Sequence, residues 1–320
     1  MTLEIGPRDK KTIDSDVHRR LARAISAVEN GASIAHELDA FGSPVAGAAT
    51  PAYVIGITGP PGAGKSTVVD HLIERFRERG DAVAVIAVDP TSPFTGGAVL
   101  GDRIRMQRHS GDAGVFIRSM ASREAGGGLA PATAHAIRLC ERAGFGVVIV
   151  ETVGVGQIEI EIVSVADVVV VVTVPALGDA VQSIKAGLTE VADLFVVNMA
   201  DRPGVNQTVA DLVHMVRESG RDVPVLKTTA IDGGGITELM EYLAKARLQP
   251  AVSSSRAVRF AVLRSVKDTT VQRAVRLLDA EPAKAILREL EAHALPRTEA
   301  VHRLVQFILA EMQHADRDDR

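Results

Sequence analysis

An α/β fold with a mainly parallel β-sheet flanked by helices is predicted by three features of this 320-residue chain. Apolar, Val-rich runs alternate with helical patterns, as expected of strands covered on both faces. The stretch 59–67, GPPGAGKST, fits the G-x-x-x-x-G-K-[ST] phosphate-binding loop in full. This stretch follows an apolar run and precedes an amphipathic pattern, so strand, loop and helix come in the required order. We therefore expect a P-loop NTPase domain, with helical extensions at the N- and C-terminal ends.

The phosphate loop is the strongest functional signal in the chain. Its glycines let the backbone fold around a phosphate, Lys65 adds a cation, and the Ser66 hydroxyl is placed to bind Mg²⁺. The alternative is a glycine-rich turn with a chance Lys-Ser pair, and the strand and helix on either side favour the nucleotide site. The residues predicted to hold the phosphates are Gly59, Pro60, Pro61, Gly62, Ala63, Gly64, Lys65, Ser66 and Thr67.

Composition excludes several classes of protein. Hydrophobic residues make up 46% and charged residues 24%, as in globular proteins, while aromatic residues are only 3%. A net charge of −4 gives no electrostatic reason to expect nucleic acid as a partner. No apolar run is long enough to span a membrane, and residues 1–20 lack the core of a secretion signal, so we expect a cytoplasmic location. The single cysteine, Cys140, is predicted to be a small buried residue.

The first part of the chain, residues 1–50, is predicted to be a helical extension and a linker. Leu21, Ile25 and Val28 share one face of a helix over Asp16–Asn30, and the segment Phe41–Pro51 is expected to be the linker. The phosphate-loop helix follows, with apolar rows that predict packing on a sheet. The next strand is predicted at Ala82–Val88 and ends at Asp89-Pro90.

The predicted P-loop domain covers residues 51–249, and a helical region covers 250–320. Further strands are expected at 116–120, 146–150, 168–174, 194–198 and 223–226, with helices at 131–142, 178–188 and 205–218. The C-terminal region is predicted to hold helices at 266–278, 283–290 and 298–312. An apolar stripe on the last helix, which includes Val301 and Val305, either seals its own domain or faces a second subunit.

The stretch Asn198-Met199-Ala200-Asp201 follows a predicted strand and matches the N-K-x-D guanine motif at its two ends. An ionised Asp201 accepts the N1–H and 2-amino hydrogens of guanine, whereas adenine has an acceptor at N1 and no donor beside it. Met199 stands where Lys is usual, and its polarizable side chain supplies a similar apolar cover for the base. A second guanine-contacting loop is expected at Thr229, Ala230 and Ile231.

Carboxylates at three positions are predicted to surround a magnesium ion. Glu151 ends a buried strand at the position of the usual metal-shell Asp, and Asp89 ends another. Asp102 lies on a charged, glycine-rich stretch, and with Ser66 it completes the predicted set of metal ligands. Each carboxylate by itself is also an ordinary strand-end or loop residue.

Three segments taken together resemble the methylmalonyl-CoA mutase-associated GTPase chaperones, also labelled lysine, arginine and ornithine transport-system kinases. These segments are VIAVDPTSP at 85–93, GDRIRM at 101–106 and VETVGVGQ at 150–157, and the resemblance covers Asp16–Leu248. It implies a metallochaperone-like GTPase that binds GTP and GDP with Mg²⁺, forms a homodimer, and protects a B12-dependent mutase. It also implies that this protein gates loading of adenosylcobalamin, a cofactor that belongs to the partner. Met199 departs from the family's guanine motif.

The residues expected to act in hydrolysis are Lys65, Glu151, Asp102 and Arg105. Val155 follows Gly154 where some GTPases carry a water-orienting Gln, so we expect slow hydrolysis until a partner orders Gln157 or Arg105. The resemblance also implies an extra switch segment at 175–187, with Asp179, Gln182 and Lys185.

Two other functions compete with the GTPase chaperone. A transport-system kinase needs a base that activates the acceptor, and a nickel-inserting GTPase usually carries a His-rich or Cys/His tract. The sequence offers neither feature that we can identify, with one cysteine and nine scattered histidines. The chaperone of a mutase is therefore the leading hypothesis.

Overall fold

The chain forms two compact units, Met1–Ala257 and Val258–Arg320. The computed structural model describes most of both units. The described residues are 10–42, 51–90, 107–109, 111–122, 131–152, 162–175, 186–248, 262, 270, 274–292 and 294–318. None of the described helices combines the length and the apolar character needed to cross a membrane.

The first unit alternates strands and helices after an N-terminal helical pair. Its elements are α1 (Ser15–Glu29), α2 (Ile34–Phe41), β1 (Tyr53–Thr58), α3 (Lys65–Glu78), β2 (Val83–Pro90), β3 (Val115–Ser122), α4 (Pro131–Arg142), β4 (Val147–Thr152), β5 (Val168–Thr173), α5 (Ala186–Val191), β6 (Leu194–Val197), α6 (Val205–Glu218), β7 (Val225–Lys227) and α7 (Ile236–Leu248). Short 3-10 turns lie at Gln107–His109 and Ile162–Ser164.

The seven strands form one sheet in the order β3-β2-β4-β1-β5-β6-β7, and every neighbouring pair is parallel. This arrangement confirms the predicted α/β fold. Strand β1 lies between β4 and β5, with Ile57 opposite Glu151 and Thr58 opposite Val171. The loop that leaves β1 therefore starts at the edge where β4 and β5 also end, the edge at which open α/β sheets bind ligands.

The core depends on aliphatic side chains, as the scarcity of aromatic residues predicts. Every residue of β1, β4 and β5 is buried, because helices cover the sheet on both faces. Helix α3 buries both of its predicted apolar rows, and each of these apolar side chains contributes roughly 1.5–3 kcal/mol through burial. These rows are Val68, Leu72 and Phe76, and Val69 and Ile73.

The N-terminal helix buries its predicted face, but the linker prediction is wrong at its start. Phe41 is the last residue of helix α2, and its side chain is buried. Arg20 of α1 holds this end of the helix, because its guanidinium lies 4.8 Å from the Phe41 ring centre and donates to the Phe41 carbonyl oxygen at 2.7 Å. Ser33 before the helix and the spacing of Ile34, Leu38 and Phe41 are the signals that would have predicted α2.

Cys140 on α4 is buried, as predicted, and burial raises the pKa of its thiol. Its thiol is therefore held in the neutral, unreactive form.

The second unit contains α8 (Glu281–Glu291) and α9 (Arg297–Asp318), which runs past the predicted end at Met312. On α9, Ala300 is fully buried, whereas Val301 and Val305 are 53% and 46% exposed. The apolar stripe therefore does not seal its own domain at these two valines, because the helix turns Ala300 inward instead.

Candidate nucleotide-binding site

The phosphate loop spans the gap between β1 and α3, and close contacts require glycine at two of its positions. Gly59 has φ +136°, and a Cβ there would lie 1.9 Å from the Val172 carbonyl oxygen of β5. Gly64 has φ +83°, and its Cβ would lie 2.3 Å from Asn198 Nδ2. A side chain at either position would push the loop away from the strand ends that support it.

Lys65, the first residue of α3, is buried beneath this loop. Its Nζ donates to the carbonyl oxygens of Gly59 at 2.8 Å and Pro60 at 3.0 Å. The ammonium group thus lies at the positive end of the helix dipole, inside the curve of the loop. A phosphate bound here meets a fixed cation and the backbone N–H groups of the helix start.

Ser66 and Glu151 form the centre of the predicted metal shell. The Ser66 hydroxyl donates to Glu151 Oε1 at 2.8 Å, and both side chains are buried. A hydroxyl and a carboxylate are oxygen ligands of the kind that Mg²⁺ prefers, so the residues present fit this metal. In the register of the sheet Ala87 lies opposite Glu151, and the backbone of Asp89 follows two residues later at the same edge.

Asn198 connects the phosphate loop with the region predicted to bind guanine. It directly follows β6, and its side chain is buried. Nδ2 donates to the Ala63 carbonyl oxygen at 2.9 Å, while Oδ1 accepts from the Thr228 hydroxyl and the Ala230 N–H, each at 3.0 Å. One side chain therefore fixes the distance between three loops, a role that the guanine motif alone did not reveal.

Met199 has φ +56°, the only positive φ among the non-glycine residues that the structure describes. The turn is closed by Ala200, whose N–H donates to the Thr228 carbonyl oxygen at 3.0 Å. This backbone presents Met199 and Asp201 to a cavity of about 200 Å³. The cavity is lined by Gly64, Thr67, Asn198, Met199, Asp201, Arg202, Thr229, Ala230 and Ile231.

The structure thus brings the predicted guanine-binding residues together beside the phosphate loop. Two residues that sequence reasoning missed also contact this region: Arg202, which lines the cavity, and His71, whose Nε2 lies 2.6 Å from the Ala230 carbonyl oxygen. No sequence motif marks either of them. The predicted Asp102, Arg105, Gly154, Val155, Gln157, Asp179, Gln182 and Lys185 fall outside the described residues.

A family model matches this site and most of the chain. The model described as Methylmalonyl Co-A mutase-associated GTPase MeaB matches residues 21–278. A protein of Pyrococcus abyssi that bears the name GTPase is 54% identical over 236 residues, which cover 72% of each chain. The fused isobutyryl-CoA mutase of Paraburkholderia xenovorans is 38% identical over 245 residues, which cover 72% of this chain and 19% of that enzyme.

A solved structure shares the fold. The crystal structure of an LAO/AO transport system kinase superposes with a TM-score of 0.62 at 27% sequence identity, covering 93% of this chain and 100% of that one.

Proposed function

Since this chain belongs to the family of methylmalonyl Co-A mutase-associated GTPases named MeaB, we propose that it hydrolyses GTP to GDP and phosphate with Mg²⁺. We further propose that it acts as a chaperone that gates adenosylcobalamin loading and protects a B12-dependent mutase. The family and the P-loop fold support a guanine-nucleotide GTPase in general terms. The roles of individual residues in binding and hydrolysis are proposed.

One observation carries the choice of guanine. The buried Asn198 side chain is hydrogen-bonded to Ala63 of the phosphate loop and to the loop at 228–230. The phosphate loop and the two loops predicted to bind guanine, at 198–201 and 229–231, are therefore held in one arrangement. Asp201 lines the cavity beside it. A carboxylate in that place accepts two hydrogens from guanine and finds only an acceptor at N1 of adenine. The arrangement therefore favours GTP and GDP over ATP and ADP.

Phosphoryl transfer is assigned to the residues at the carboxyl ends of β1 and β4. Lys65 is held inside the phosphate loop, where its charge opposes the negative charge that develops on the transferring group. Ser66 and Glu151 would hold Mg²⁺, which supplies further positive charge to the phosphates when bound. Hydrogen bonds to the protein hold Lys65 and Ser66 in these positions, which reduces the reorganisation needed at the moment of reaction.

Slow hydrolysis by the isolated chain is part of the proposal. Val155 stands where other GTPases place a Gln that orients the attacking water, and a valine side chain has no hydrogen-bonding group. Gln157 and Arg105 are the proposed substitutes, brought into place by a partner. Turnover would then report the presence of the client enzyme.

A mutase client is supported by the relatives. Two of them are named fused isobutyryl-CoA mutases, from Paraburkholderia xenovorans and Cupriavidus metallidurans, so a segment like this chain lies in the same polypeptide as a mutase. A fusion keeps two partners at a high local concentration, which is useful when their contact is transient. We propose the same association in separate chains here.

The second candidate function is a protein kinase, which the name of the transport-system kinase structure favours. The two functions differ in the acceptor of the γ-phosphate, because a GTPase transfers it to water and a kinase transfers it to a protein side chain. The release of inorganic phosphate in the absence of any acceptor protein separates them.

The test is GTP turnover by the purified chain, measured alone and with methylmalonyl-CoA mutase or isobutyryl-CoA mutase. We expect slow phosphate release alone, an increase of about tenfold or more with the client, and near-complete loss in Lys65→Ala. Co-elution with the mutase should depend on the nucleotide. Fast turnover that no mutase changes would remove the gated chaperone and leave a self-sufficient GTPase. Wild-type turnover in Lys65→Ala would overturn the assigned chemistry.

A further inference from the structure

His71 lies on helix α3, outside the cavity. It contacts the loop at 229–231, which is predicted to bind guanine and is called the base-recognition loop here. Its ring Nε2 is 2.6 Å from the carbonyl oxygen of Ala230. A carbonyl oxygen only accepts hydrogen bonds, so Nε2 carries the hydrogen and donates it. The His71 side chain is 19% exposed, and it is not among the residues that line the cavity. Any influence on a bound base must therefore pass through the loop.

The two peptide groups on either side of Ala230 are held at the same time. The Ala230 N–H donates to Asn198 Oδ1 at 3.0 Å, and the Ala230 carbonyl oxygen accepts from His71. Because a trans peptide is planar, fixing that carbonyl also directs the N–H of Ile231 away from His71. Within the described part of the chain, no group accepts a hydrogen bond from the Ile231 N–H, and Ile231 lines the cavity.

Glu74 lies beside the imidazole ring on the same helix. Its Oε2 is 3.3 Å from Nδ1 of His71, one turn further along α3. The second carboxylate oxygen of Glu74 lies 3.0 Å from Nη1 of Arg108. On the other side the ring approaches the loop closely, because a Cβ built on Gly233 would lie 3.7 Å from Cε1 of His71. The ring therefore lies between Glu74 and the loop, and its hydrogen bond to Ala230 fixes it on the loop side.

We propose that His71 is a positioning residue for guanine discrimination. It holds the peptide between Ala230 and Ile231 so that the Ile231 N–H stays available to the base, an inference that rests on the proposed guanine site. Guanine carries an acceptor oxygen at position 6, whereas adenine carries an amino group there. A fixed N–H therefore stabilises bound guanine and opposes an amino donor.

The proposed role of His71 concerns the base, whereas the contacts to the phosphates are the same for GDP and ADP. Loss of the His71 hydrogen bond frees the peptide and weakens GDP binding, while ADP gains nothing from that N–H and keeps its affinity. The ratio of the ADP and GDP dissociation constants is therefore the quantity that His71 controls. A residue that only stabilises the fold changes both constants by the same factor.

The experiment is calorimetric titration of GDP, with ADP measured by competition, on the full chain and on variants at position 71. In His71→Ala we expect the Kd for GDP to rise about tenfold, the effect of one hydrogen bond, with the Kd for ADP unchanged. The amide of Gln reaches the place of Nε2, so His71→Gln should restore most of the selectivity, whereas the shorter Asn should not. His214→Ala is the control, because His214 is 75% exposed and lies beside Glu218 on α6.

The possible outcomes separate a failure of the proposed guanine site from a failure of the proposed role of His71. Equal affinities for GDP and ADP in the wild-type chain would contradict the proposed guanine site itself. A selective wild type with unchanged selectivity in His71→Ala would overturn the role of His71 alone. An equal loss for both nucleotides, with a lower unfolding temperature, would make His71 structural and would also overturn it. Failure of His71→Gln to recover selectivity lost in His71→Ala would show that the hydrogen bond is not the cause.

Discussion

The Ser66 hydroxyl donates a 2.8 Å hydrogen bond to the Glu151 carboxylate, across 85 positions of sequence. Ser66 is the second residue of the phosphate-loop helix, and Glu151 is the penultimate residue of β4, which lies beside β1 in the sheet. Both side chains are buried, so the pair places two oxygen atoms in a confined position next to the phosphate loop. The proposed Mg²⁺ would be held by these two oxygen atoms and would supply positive charge to the phosphates of GTP.

Glu151→Gln should raise the Mg²⁺ concentration needed for half-maximal GTP turnover by about 10- to 100-fold, as losses around metal ligands usually do. Ser66→Ala should raise it at least as much. The measurement is turnover over a magnesium titration. Thr152→Val is the control, because the Thr152 hydroxyl donates to Thr58 at 2.9 Å and not to Ser66 or Glu151, so the change should affect stability alone. Unchanged magnesium dependence in Glu151→Gln would show that Glu151 positions the Ser66 hydroxyl and does not bind the metal.

Asp201→Asn should weaken GDP binding by about 2–3 kcal/mol, because a charge-assisted pair of hydrogen bonds is lost. The same change should improve binding of xanthosine diphosphate, whose position 2 carries an oxygen that the Asn amide can bond. Calorimetric titration of both nucleotides checks this. Asp211→Asn, on the outer part of α6 beside Gln207, is the control and should alter neither affinity. An equal loss of affinity for GDP and for xanthosine diphosphate would show that Asp201 takes no part in base recognition.

Gly64→Ala should abolish measurable nucleotide binding, because the new Cβ would lie 2.3 Å from Asn198 Nδ2 and displace the connection to Ala63. Gly220→Ala has a similar backbone strain at φ +72° but meets no atom within 4 Å. Gly220→Ala should therefore cost about 1 kcal/mol of unfolding free energy and leave GDP binding intact. Titration and urea unfolding measure the two effects. Tight GDP binding by Gly64→Ala would contradict the proposed contact.

The pH dependence of stability should include a contribution from Asp112. The buried Arg77 guanidinium donates to both of its oxygens, at 2.8 and 2.9 Å, and this pairing lowers the pKa of the Asp112 carboxyl. A lowered folded-state pKa means that the stabilisation is present above the unfolded pKa of about 3.9 and is lost as pH falls through the folded value. Asp112→Asn should therefore cost about 1–2 kcal/mol at pH 7, because the buried Arg77 loses its charged partner but keeps its hydrogen bonds to the carbonyl oxygens of Lys11 and Asp81.

The difference between wild type and Asp112→Asn should shrink below about pH 4, which urea unfolding across pH 3–7 measures. Glu78→Gln is the control. Both side chains of the Glu78–Arg75 ion pair are exposed, so the pair contributes at most about 1 kcal/mol to the free energy of unfolding. A wild-type advantage that stays constant down to pH 3 would exclude the carboxylate as its source.

Much of the fold was predictable because its signals are local. The phosphate loop is a contiguous motif, and the strands of a doubly covered parallel sheet are apolar at nearly every position, as in β1 and β5. The guanine-binding candidates Asn198 and Asp201 were predictable for the same reason, since they follow a strand within four residues. Helix α2 was missed because its eight residues lie before a Gly- and Pro-rich stretch that predicted a linker.

The sequence by itself determined the class of fold, the family and the identity of the phosphate-loop residues. Only the tertiary structure decided that β1 lies between β4 and β5, which brings Ser66 to Glu151. It also decided that Asn198 bonds to Ala63 and that His71 bonds to Ala230. These contacts join residues more than 80 positions apart, and they depend on strand order and helix rotation. No local spacing encodes them, because hydrogen bonds between loops form only after the sheet has placed the loops side by side.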